Sequence, residues 1–439
     1  TRGIFNSNTF VIMDKKKIGL ALSGGGYRAA AYHIGTLRAL NRLGILDKVD
    51  VISAVSGGSI TAAYYALHKD NYEKFESSFI KKLQRGVLCS TIIYLLLVLS
   101  ISLFIGFRLS WWLVIPEVII FLICWYQILP VSYFIESSYN RLFFQKKKLS
   151  DLPQSPLIAI NATDVSNGKL YTFSQLKMGG YTYYQNSDYT TSPFDNTLFP
   201  IAKAVMASSC VPFAFSPIKI SKEFCKENTE IPILIDGGLY DNQGTHKLSM
   251  LNSRYHADYI IVSDAGNTQI NANRILNPIC LLIKTSDIMM DRIKRFQRQQ
   301  NIYTPANPNR YAYVPLEWNI EERLIRGFVQ NIMGGNIVES LYSWHKISSD
   351  DINNLTNSDK DISKTAFDNI VATLKKSIGW DQLSKIFPNK ESCEIARSVG
   401  TNLTGLNRKK IDALIHHSEI LTEIQVRLYL PEIIENNYE

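Results

Sequence analysis

Hydrophobic and polar positions along the chain fall into short segments that fit strands and helices in turn. An uninterrupted apolar segment, typical of a strand buried on both faces, is followed by a segment with apolar residues at helical spacing, and this order recurs. Such alternation predicts an α/β fold with a mostly parallel sheet and helices on its faces. The predicted strands cover residues 17–22, 49–54, 157–162, 170–173, 231–235 and 259–262, and the predicted helices cover residues 28–43, 57–67 and 198–208.

The stretch between the second predicted helix and the third predicted strand is far more apolar. Residues 86–107 lack charged side chains over about 22 positions, the length that a helix needs to cross a bilayer. A second apolar run, 118–135, follows a short turn that leaves Glu117 at the interface. The pattern predicts a transmembrane or membrane-inserted helical hairpin. A hairpin packed inside a large soluble domain, or one dipping into a single leaflet, is the alternative.

Basic residues flank both ends of this apolar pair, at Lys81, Lys82 and Arg85 before it and at Arg141 and 146–148 after it. The positive-inside rule places such flanks on the cytoplasmic side. No positively charged segment followed by an apolar core stands at the N-terminus, so a cleaved secretory signal is not expected. We therefore predict an integral membrane hairpin, with the remainder of the chain on the cytoplasmic side.

The hairpin and a change in polarity divide the chain into four predicted parts. Residues 13–85 and 136–290 are two pieces of one α/β domain, and residues 86–135 are the hairpin inserted between them. From about residue 290 the chain is more polar and mainly helical, which makes 291–439 a helical C-terminal region.

Composition narrows the class of partner. The 439 residues are 46% hydrophobic and carry a formal net charge of +8, which favours an acidic partner such as a phospholipid headgroup layer or a nucleic acid. The basic run 292–298 is either a solvated helix face or a surface that lies against anionic headgroups. No recognisable nucleic-acid-binding motif is present, so we expect no nucleic-acid partner.

A glycine-rich loop follows the first predicted strand, with the sequence Ser23-Gly24-Gly25-Gly26-Tyr27-Arg28-Ala29. Consecutive glycines can turn with positive φ and direct several N–H groups at one point, where the next helix N-terminus adds partial positive charge. Such a loop binds an anion, either a dinucleotide pyrophosphate or the oxyanion of an ester under attack. The loose dinucleotide fingerprint is met by Gly24-x-Gly26-x-x-Ala29, with Asp47 or Asp50 as the ribose-binding acid.

A second small-residue segment lies between a predicted strand and a predicted helix, with the sequence Ile52-Ser53-Ala54-Val55-Ser56-Gly57-Gly58-Ser59. It is close to the small-x-Ser-x-Gly pattern of a nucleophile elbow, in which the serine hydroxyl projects from the sheet edge. We predict Ser56 as the nucleophile, Gly57 as an oxyanion donor, and Gly58 as a small residue that the sharp turn requires. A turn without chemistry is the alternative.

A serine hydroxyl needs a neighbouring base before it becomes a good nucleophile. The predicted strand 231–235 ends in Asp236-Gly237-Gly238, which places a carboxylate at a sheet edge beside two residues without side chains. Burial there would raise the pKa and the basicity of Asp236, and the glycines leave room for Ser56 and substrate. Among the seven histidines, His246 is the best candidate for a Ser-His-Asp triad, but none lies in a stretch typical of a triad loop.

These three segments, in this order, resemble the patatin-like phospholipase family. The resemblance implies an oxyanion hole and a Ser-Asp dyad built from Gly24, Gly25, Gly26, Arg28, Ser56 and Asp236. Two further segments are similar to the family, Ala207-Ser208-Ser209-Cys210-Val211-Pro212 ahead of Asp236 and Leu239-Tyr240-Asp241-Asn242 behind it. Two positions depart from it: Ser23 stands where an Asp is often found, and Ala54 replaces the first elbow glycine.

The resemblance covers about residues 17–264 and implies a three-layer patatin-like fold with the hairpin as an insertion. It implies a lipid acyl hydrolase of the phospholipase or lysophospholipase type that requires no metal and no organic cofactor, with membrane lipids as substrate and surface. Two alternatives stay open. If Ala54 tilts the elbow, the chain is a catalytically silent lipid-binding or scaffolding membrane protein; if only the glycine loop functions, it is a nucleotide-binding oxidoreductase. Lipid class and oligomeric state are left open.

Overall fold

The structure is a computed structural model that describes residues 16–108, 130–183, 192–212, 214–227, 229–266, 278–302 and 310–434, together with residues 112, 115, 116 and 119. Its strands are β1 (Ile18–Leu22), β2 (Val49–Val55), β3 (Leu157–Asp164), β4 (Lys169–Phe173), β5 (Met178–Gly180), β6 (Ile218–Lys219), β7 (Ile233–Asp236), β8 (Tyr259–Asp264) and β9 (Arg310–Pro315). Its helices are α1 (Gly26–Arg42), α2 (Gly57–Ala66), α3 (Tyr72–Leu83), α4 (Cys89–Arg108), α5 (Val131–Tyr139), α6 (Ile201–Ser208), α7 (Gly238–Asp241), α8 (His246–Ser249), α9 (Pro278–Ile302), α10 (Arg323–Met333), α11 (Ser340–Trp344), α12 (Ser349–Asn354), α13 (Lys360–Ile378), α14 (Trp380–Leu383), α15 (Lys390–Ser398) and α16 (Arg408–Tyr429).

The described strands form one nine-stranded sheet with the order β5-β4-β3-β2-β1-β8-β9. The five strands from β3 to β9 along this order run parallel. Strands β4 and β5 extend the sheet in antiparallel fashion, and β7 pairs antiparallel with both β3 and β6. The prediction of an α/β fold with a mostly parallel sheet is therefore confirmed.

Parallel pairing brings the carboxyl ends of the central strands to one edge of the sheet. In register, Leu22 at the end of β1 lies beside Ala54 of β2 and Ser263 of β8. The loops that follow these strands therefore meet at one place, as in other open α/β sheets. This edge collects the glycine loop, the Ser56 turn and Asp264.

The C-terminal region is mainly helical, as predicted, but it also completes the sheet and its core. Strand β9 pairs with β8, whereas the prediction for this region is mainly helical, because residues after 290 are more polar overall. Helix α16 packs along α1, where Arg38 and Arg42 form ion pairs with Glu419 and Glu423. The proposed division into four parts stays a prediction.

The transmembrane part of the hairpin prediction is not supported. In the described part of the chain, no helix is both long enough and apolar enough to cross a membrane. Protein contacts occupy the start of α4, where Thr91 is buried and the Tyr94 ring lies 4.9 Å from that of Phe134. The second predicted arm, 118–135, lies mostly outside the described residues, and its last residue, Ile135, is buried in the core.

Candidate active site

Ser56 occupies the sharp turn between β2 and α2 in a conformation that side chains rarely adopt. Its φ is 51° and its ψ is −119°, so a non-glycine residue stands at positive φ. Backbone strain of this kind concentrates at functional sites. Ala54, the departure from the family pattern, is buried in β2 in regular register with Leu22 and Ile160, and the elbow forms with that methyl group in place.

The elbow closes only because its following residues have no side chains. A Cβ on Gly57 would lie 2.0 Å from the Gly26 carbonyl oxygen, and a Cβ on Gly58 would lie 2.3 Å from that of Leu22. Both distances are far below a van der Waals contact, so any side chain would push α2 away from the glycine loop. Gly57 and Gly58 therefore hold the Ser56 turn against that loop.

The glycine loop approaches Ser56 from the end of β1. A Cβ on Gly24 would lie 3.2 Å from the Ser56 Cβ and 2.3 Å from the Asn242 Oδ1. Gly25 and Gly26 have φ values of 142° and 58°, which suit glycine. The Gly24 N–H donates to the Asn242 carbonyl at 2.9 Å, so this N–H fixes the loop. Within the described ranges, the N–H groups of Gly25, Gly26 and Gly57 have no acceptor, and they are the candidate oxyanion donors.

Asp236 ends β7 and is buried beside Ser56. The Gly238 N–H donates to its Oδ1 at 2.7 Å. Burial raises the pKa of Asp236 to about 6, against the lowering effect of the Gly238 N–H and of a hydrogen bond from the Ser56 hydroxyl. The carboxylate therefore reaches the predicted nucleophile and has more basicity than an exposed aspartate.

The glycines after Asp236 are also required by close packing. A Cβ on Gly237 would lie 2.3 Å from the Asn161 carbonyl oxygen, and a Cβ on Gly238 would lie 2.9 Å from the Asp236 Oδ1. Any side chain at position 238 would displace the carboxylate. Both residues thus keep Asp236 in place and leave space next to it.

Ser208, at the end of α6, links the two halves of the candidate dyad and was not singled out as a functional residue. Its hydroxyl donates to the Asn161 carbonyl at 2.6 Å and accepts the Ser56 N–H at 2.9 Å. Its own carbonyl accepts the Gly237 N–H at 3.2 Å. The only sequence signal was its place in the block 207–212, which is similar to the family.

Arg28 and His33 support the glycine loop from α1. Arg28 is buried, with its Nη1 donating to the Val399 carbonyl at 3.2 Å, and burial lowers its pKa to about 10. His33 lies between the Ser263 hydroxyl, at 2.7 Å from Nδ1, and the Ser23 carbonyl, at 2.9 Å from Nε2. Burial lowers the pKa of His33 to about 4, so the neutral ring donates one hydrogen bond to the Ser23 carbonyl.

The histidines do not complete a triad. The ring of His246 contacts the Tyr240 hydroxyl at 3.4 Å, and the backbone N–H of His246 donates to the Asp241 carboxylate at 2.7 Å. Over the described residues, no histidine ring is hydrogen-bonded to Ser56 or Asp236. The structure therefore brings together a Ser-Asp pair.

The geometry also argues against the dinucleotide interpretation of the glycine loop. The N-terminus of α1 is covered by residue 402, because the Tyr27 N–H donates to the Asn402 carbonyl at 2.9 Å. A Cβ on Gly26 would lie only 2.4 Å from that oxygen. Asp50 stands near the start of β2, at the opposite sheet edge, and accepts the Ile18 N–H at 2.8 Å. A pyrophosphate on this helix would have to displace the covering segment.

Comparison with models of protein families identifies the family of this chain. A model of the patatin-like phospholipases matches residues 20–248, just over half of the 439-residue chain. The chain belongs to the patatin-like phospholipase family. The matched residues include the glycine loop, the Ser56 elbow and the Asp236 turn.

Individual relatives of this patatin-like chain are distant. SPO1 of Saccharomyces cerevisiae, a candidate meiotic phospholipase, is 39% identical over 61 residues, which are 13% of this chain and 10% of the yeast protein. Human GIVD cytosolic phospholipase A2 is 13% identical with a TM-score of 0.44, over 94% of this chain and 60% of the human chain. VipD from Legionella pneumophila is 14% identical with a TM-score of 0.33, over 87% of this chain and 82% of that chain. The chain thus spans a tenth of the yeast protein and about three fifths of the human one.

Proposed function

We propose that this chain hydrolyses carboxylic ester bonds of membrane lipids, with Ser56 as nucleophile and Asp236 as general base. The observation that carries the proposal is the contact between a serine held at positive φ and a buried carboxylate whose pKa is raised to about 6. A serine hydroxyl is activated by a base of this kind at neutral pH, where most of the carboxylate is ionised.

The proposed reaction is acyl transfer in two stages. Asp236 accepts the Ser56 proton as the serine oxygen attacks the ester carbonyl, and the protonated Asp236 then donates that proton to the leaving alcohol. The N–H groups of Gly25, Gly26 and Gly57 stabilise the negative oxygen of each tetrahedral intermediate. Water, deprotonated by Asp236, then attacks the acyl carbonyl, and Asp236 returns that proton to the Ser56 oxygen as the fatty acid leaves. Removing one such donor typically lowers the rate by about 100-fold to 1000-fold.

The surface of α4, together with the proposed substrate, supports membrane association. The large apolar side chains of Ile92, Ile93, Leu96, Leu97, Leu99, Leu103 and Phe104 are each at least half exposed. An exposed apolar surface of this size marks a protein–protein or membrane contact. The segment leading into α4 lies close to the glycine loop. The Val87 N–H donates to the Leu403 carbonyl at 3.2 Å, and the neighbouring Asn402 covers Gly26. We propose that α4 enters the apolar layer of a membrane near the site.

Hydrolysis of defined lipids tests the proposed function. The protein would be incubated with phosphatidylcholine, lysophosphatidylcholine and a diacylglycerol in mixed micelles, and released fatty acid would be measured by mass spectrometry. We expect release from at least one lipid, with a loss of more than about 1000-fold in Ser56→Ala, as for other serine hydrolase nucleophiles. Ser77→Ala, which removes an exposed hydroxyl from α3, is the matched control. Release that persists in Ser56→Ala would refute the assignment.

Ala54 provides a test of the catalytically silent alternative. The elbow already has the strained geometry with Ala54 present, so we expect Ala54→Gly to change the rate by less than about tenfold. A folded wild type that binds lipid without turnover, and that gains activity in Ala54→Gly, would favour the silent lipid-binding protein instead.

A further inference from the structure

Helix α9 buries a charged side chain and exposes large apolar ones, which is the reverse of an ordinary surface helix. Its side facing the protein contains Lys294, which is 6% exposed and forms an ion pair with the Asp264 Oδ2 at 2.9 Å. Its outer side carries large apolar residues that are all between 46% and 61% exposed, namely Leu281, Leu282, Ile288, Met289 and Phe296. Surface helices normally bury the apolar stripe and expose the charges.

The exposed apolar residues of α9 fall along one stripe of the helix. Residues seven apart lie almost in line along a helix, so Leu282, Met289 and Phe296 form one row and Leu281 and Ile288 a second row beside it. The helix is held with this stripe outward by the buried Asp264–Lys294 pair on its other side. The stripe is therefore a fixed feature of the surface.

Basic side chains border the stripe toward the C-terminal end of α9. Arg292 is exposed and its guanidinium lies 5.5 Å from the centre of the Phe296 ring. Arg295 is also exposed, with its Nε 2.8 Å from Asp291. An apolar row next to arginines is the pattern of a helix that lies in the headgroup layer of an anionic membrane.

The position of α9 relative to the active site supports a role in reaching lipid. The helix packs against α7, which begins two residues after Asp236. Asp287 of α9 is also close enough to Arg28, under the glycine loop, to raise the Arg28 pKa against the larger lowering effect of burial. The outward stripe therefore lies on a helix that packs against the residues directly following Asp236.

We infer that α9 is an interfacial docking helix that binds an anionic lipid surface and sets the active-site opening against it. This inference rests on the proposed lipid substrate. An anionic bilayer fits better than a protein partner because arginines border the apolar stripe and because the helix adjoins the residues that would act on lipid esters. If the stripe instead bound a second copy of the chain, the result would be a dimer that the α9 variants dissociate.

Vesicle flotation with Ser56→Ala protein tests the docking helix without hydrolysis. Vesicles of phosphatidylcholine with 0% or about 30% phosphatidylglycerol separate the anionic contribution. The change at α9 can be measured although α4 is apolar, because α4 and its basic flanks are the same in the parent and in every α9 variant. We expect the double variant Ile288→Glu/Met289→Glu to lower partitioning to anionic vesicles at least tenfold, and Arg292→Glu to remove most of the preference for them.

Matched controls separate docking from folding and from chemistry. Met333→Glu changes an exposed methionine at the end of α10 and is expected to bind as the parent does. If the double variant melts early, Met289→Gln provides a milder change, with an expected loss of about threefold. In the active protein, Ile288→Glu/Met289→Glu should keep hydrolysis of a soluble short-chain ester while losing hydrolysis of vesicle lipid.

Two results would overturn the docking helix. Partitioning of the α9 variants equal to that of Met333→Glu would do so, as would a dimer in light scattering that the double variant dissociates without any change in vesicle binding. Failure of the proposed function looks different, since a wild type that cannot hydrolyse the soluble ester leaves the flotation result unaffected.

Discussion

Two buried aspartates at the ends of strands in one sheet have opposite electrostatic surroundings. Asp236, at the end of β7, is 7% exposed, and burial raises its pKa to about 6. Asp264, at the end of β8, is fully buried, and burial alone would raise its pKa as well. The Lys294 ammonium at 2.9 Å, the Tyr313 hydroxyl and the Gly266 N–H outweigh burial and bring the Asp264 pKa down to about 2.

The comparison shows how neighbours assign roles to two identical side chains. A carboxylate paired with a cation stays ionised over the physiological range and takes no part in proton transfer. A carboxylate that is buried without a cation partner keeps, against the lowering effect of Gly238 and Ser56, a pKa close enough to neutrality to accept a proton and return it. Asp264 thus fixes α9 and the sheet edge, while Asp236 is equipped for the chemistry.

Neutralising each aspartate in turn gives the strongest test of their different roles. We expect Asp236→Asn to lower kcat for ester hydrolysis by about 10³-fold to 10⁴-fold while the protein stays folded, because only a base activates Ser56. Steady-state kinetics on a soluble ester and circular dichroism would measure both. Equal losses of kcat in Asp236→Asn and in folded Asp264→Asn would remove the distinction.

The second effect is on stability, and here Asp264 should dominate. Asp264→Asn leaves the buried Lys294 ammonium without its counter-charge, which typically costs about 3–5 kcal/mol of unfolding free energy. Denaturant unfolding would measure the loss. Replacing both partners, as Asp264→Asn/Lys294→Met, should recover part of it because no uncompensated charge remains. If Asp264→Asn is as stable as the wild type, the Asp264–Lys294 pair does not stabilise the fold.

The pH dependence gives a third, smaller effect with a defined sign. For Asp236, the raised pKa predicts that kcat/KM falls about tenfold per pH unit below pH 6 and is flat above it. Folded Asp236 holds its proton more tightly than the unfolded chain does, so its contribution to stability is present below about pH 4 and is lost as the pH rises toward 6.

Asp264 should show the opposite pH dependence of stability. Its lowered pKa stabilises the fold above about pH 4, and that contribution is lost as the pH falls toward 2.

For Asp236, thermal unfolding of wild type and Asp236→Asn between pH 4 and 8 checks the sign. The stability of the variant relative to the wild type should increase as the pH rises. A gain in the opposite direction would contradict the assigned surroundings of Asp236.

The smallest expected effect concerns Ser208, which belongs to the surroundings of Asp236. Ser208→Ala leaves the Ser56 N–H without its acceptor at 2.9 Å and should lower kcat by about tenfold with KM unchanged. Ser209→Ala, which removes the neighbouring hydroxyl bonded to the Val205 carbonyl, is the matched control. A change in KM alone would point to substrate binding instead.

The positions of Ser56 and Asp236 can be predicted from the sequence, but the long-range contacts around them cannot. The sites of Ser56 and Asp236 were predictable because each stands between an apolar strand and glycines, a local pattern that fixes a turn. The hydrogen bonds from the Gly24 N–H to Asn242 and from the Ser56 N–H to Ser208 join residues more than 100 positions apart, and no local sequence pattern predicts them.

The misjudged regions have physical reasons of their own. The strand β9 lies in a polar stretch, although its residues become buried once β8 is alongside. The hairpin prediction relied on an uncharged run, but apolar residues such as Ile135 belong to the core of the protein. Lys294 was placed among the solvated or headgroup-facing charges of the run 292–298, whereas pairing with Asp264 turns it inward.

The most direct test of the central claim is labelling with a fluorophosphonate probe, which reacts only with an activated serine. Wild type, Ser56→Ala and Asp236→Asn would be treated at pH 7.5, and the modified peptide identified by mass spectrometry. We predict one modified residue, Ser56, with no labelling in Ser56→Ala and labelling slowed at least about 100-fold in Asp236→Asn. A folded wild type that stays unlabelled, or that is labelled at another serine, would contradict it.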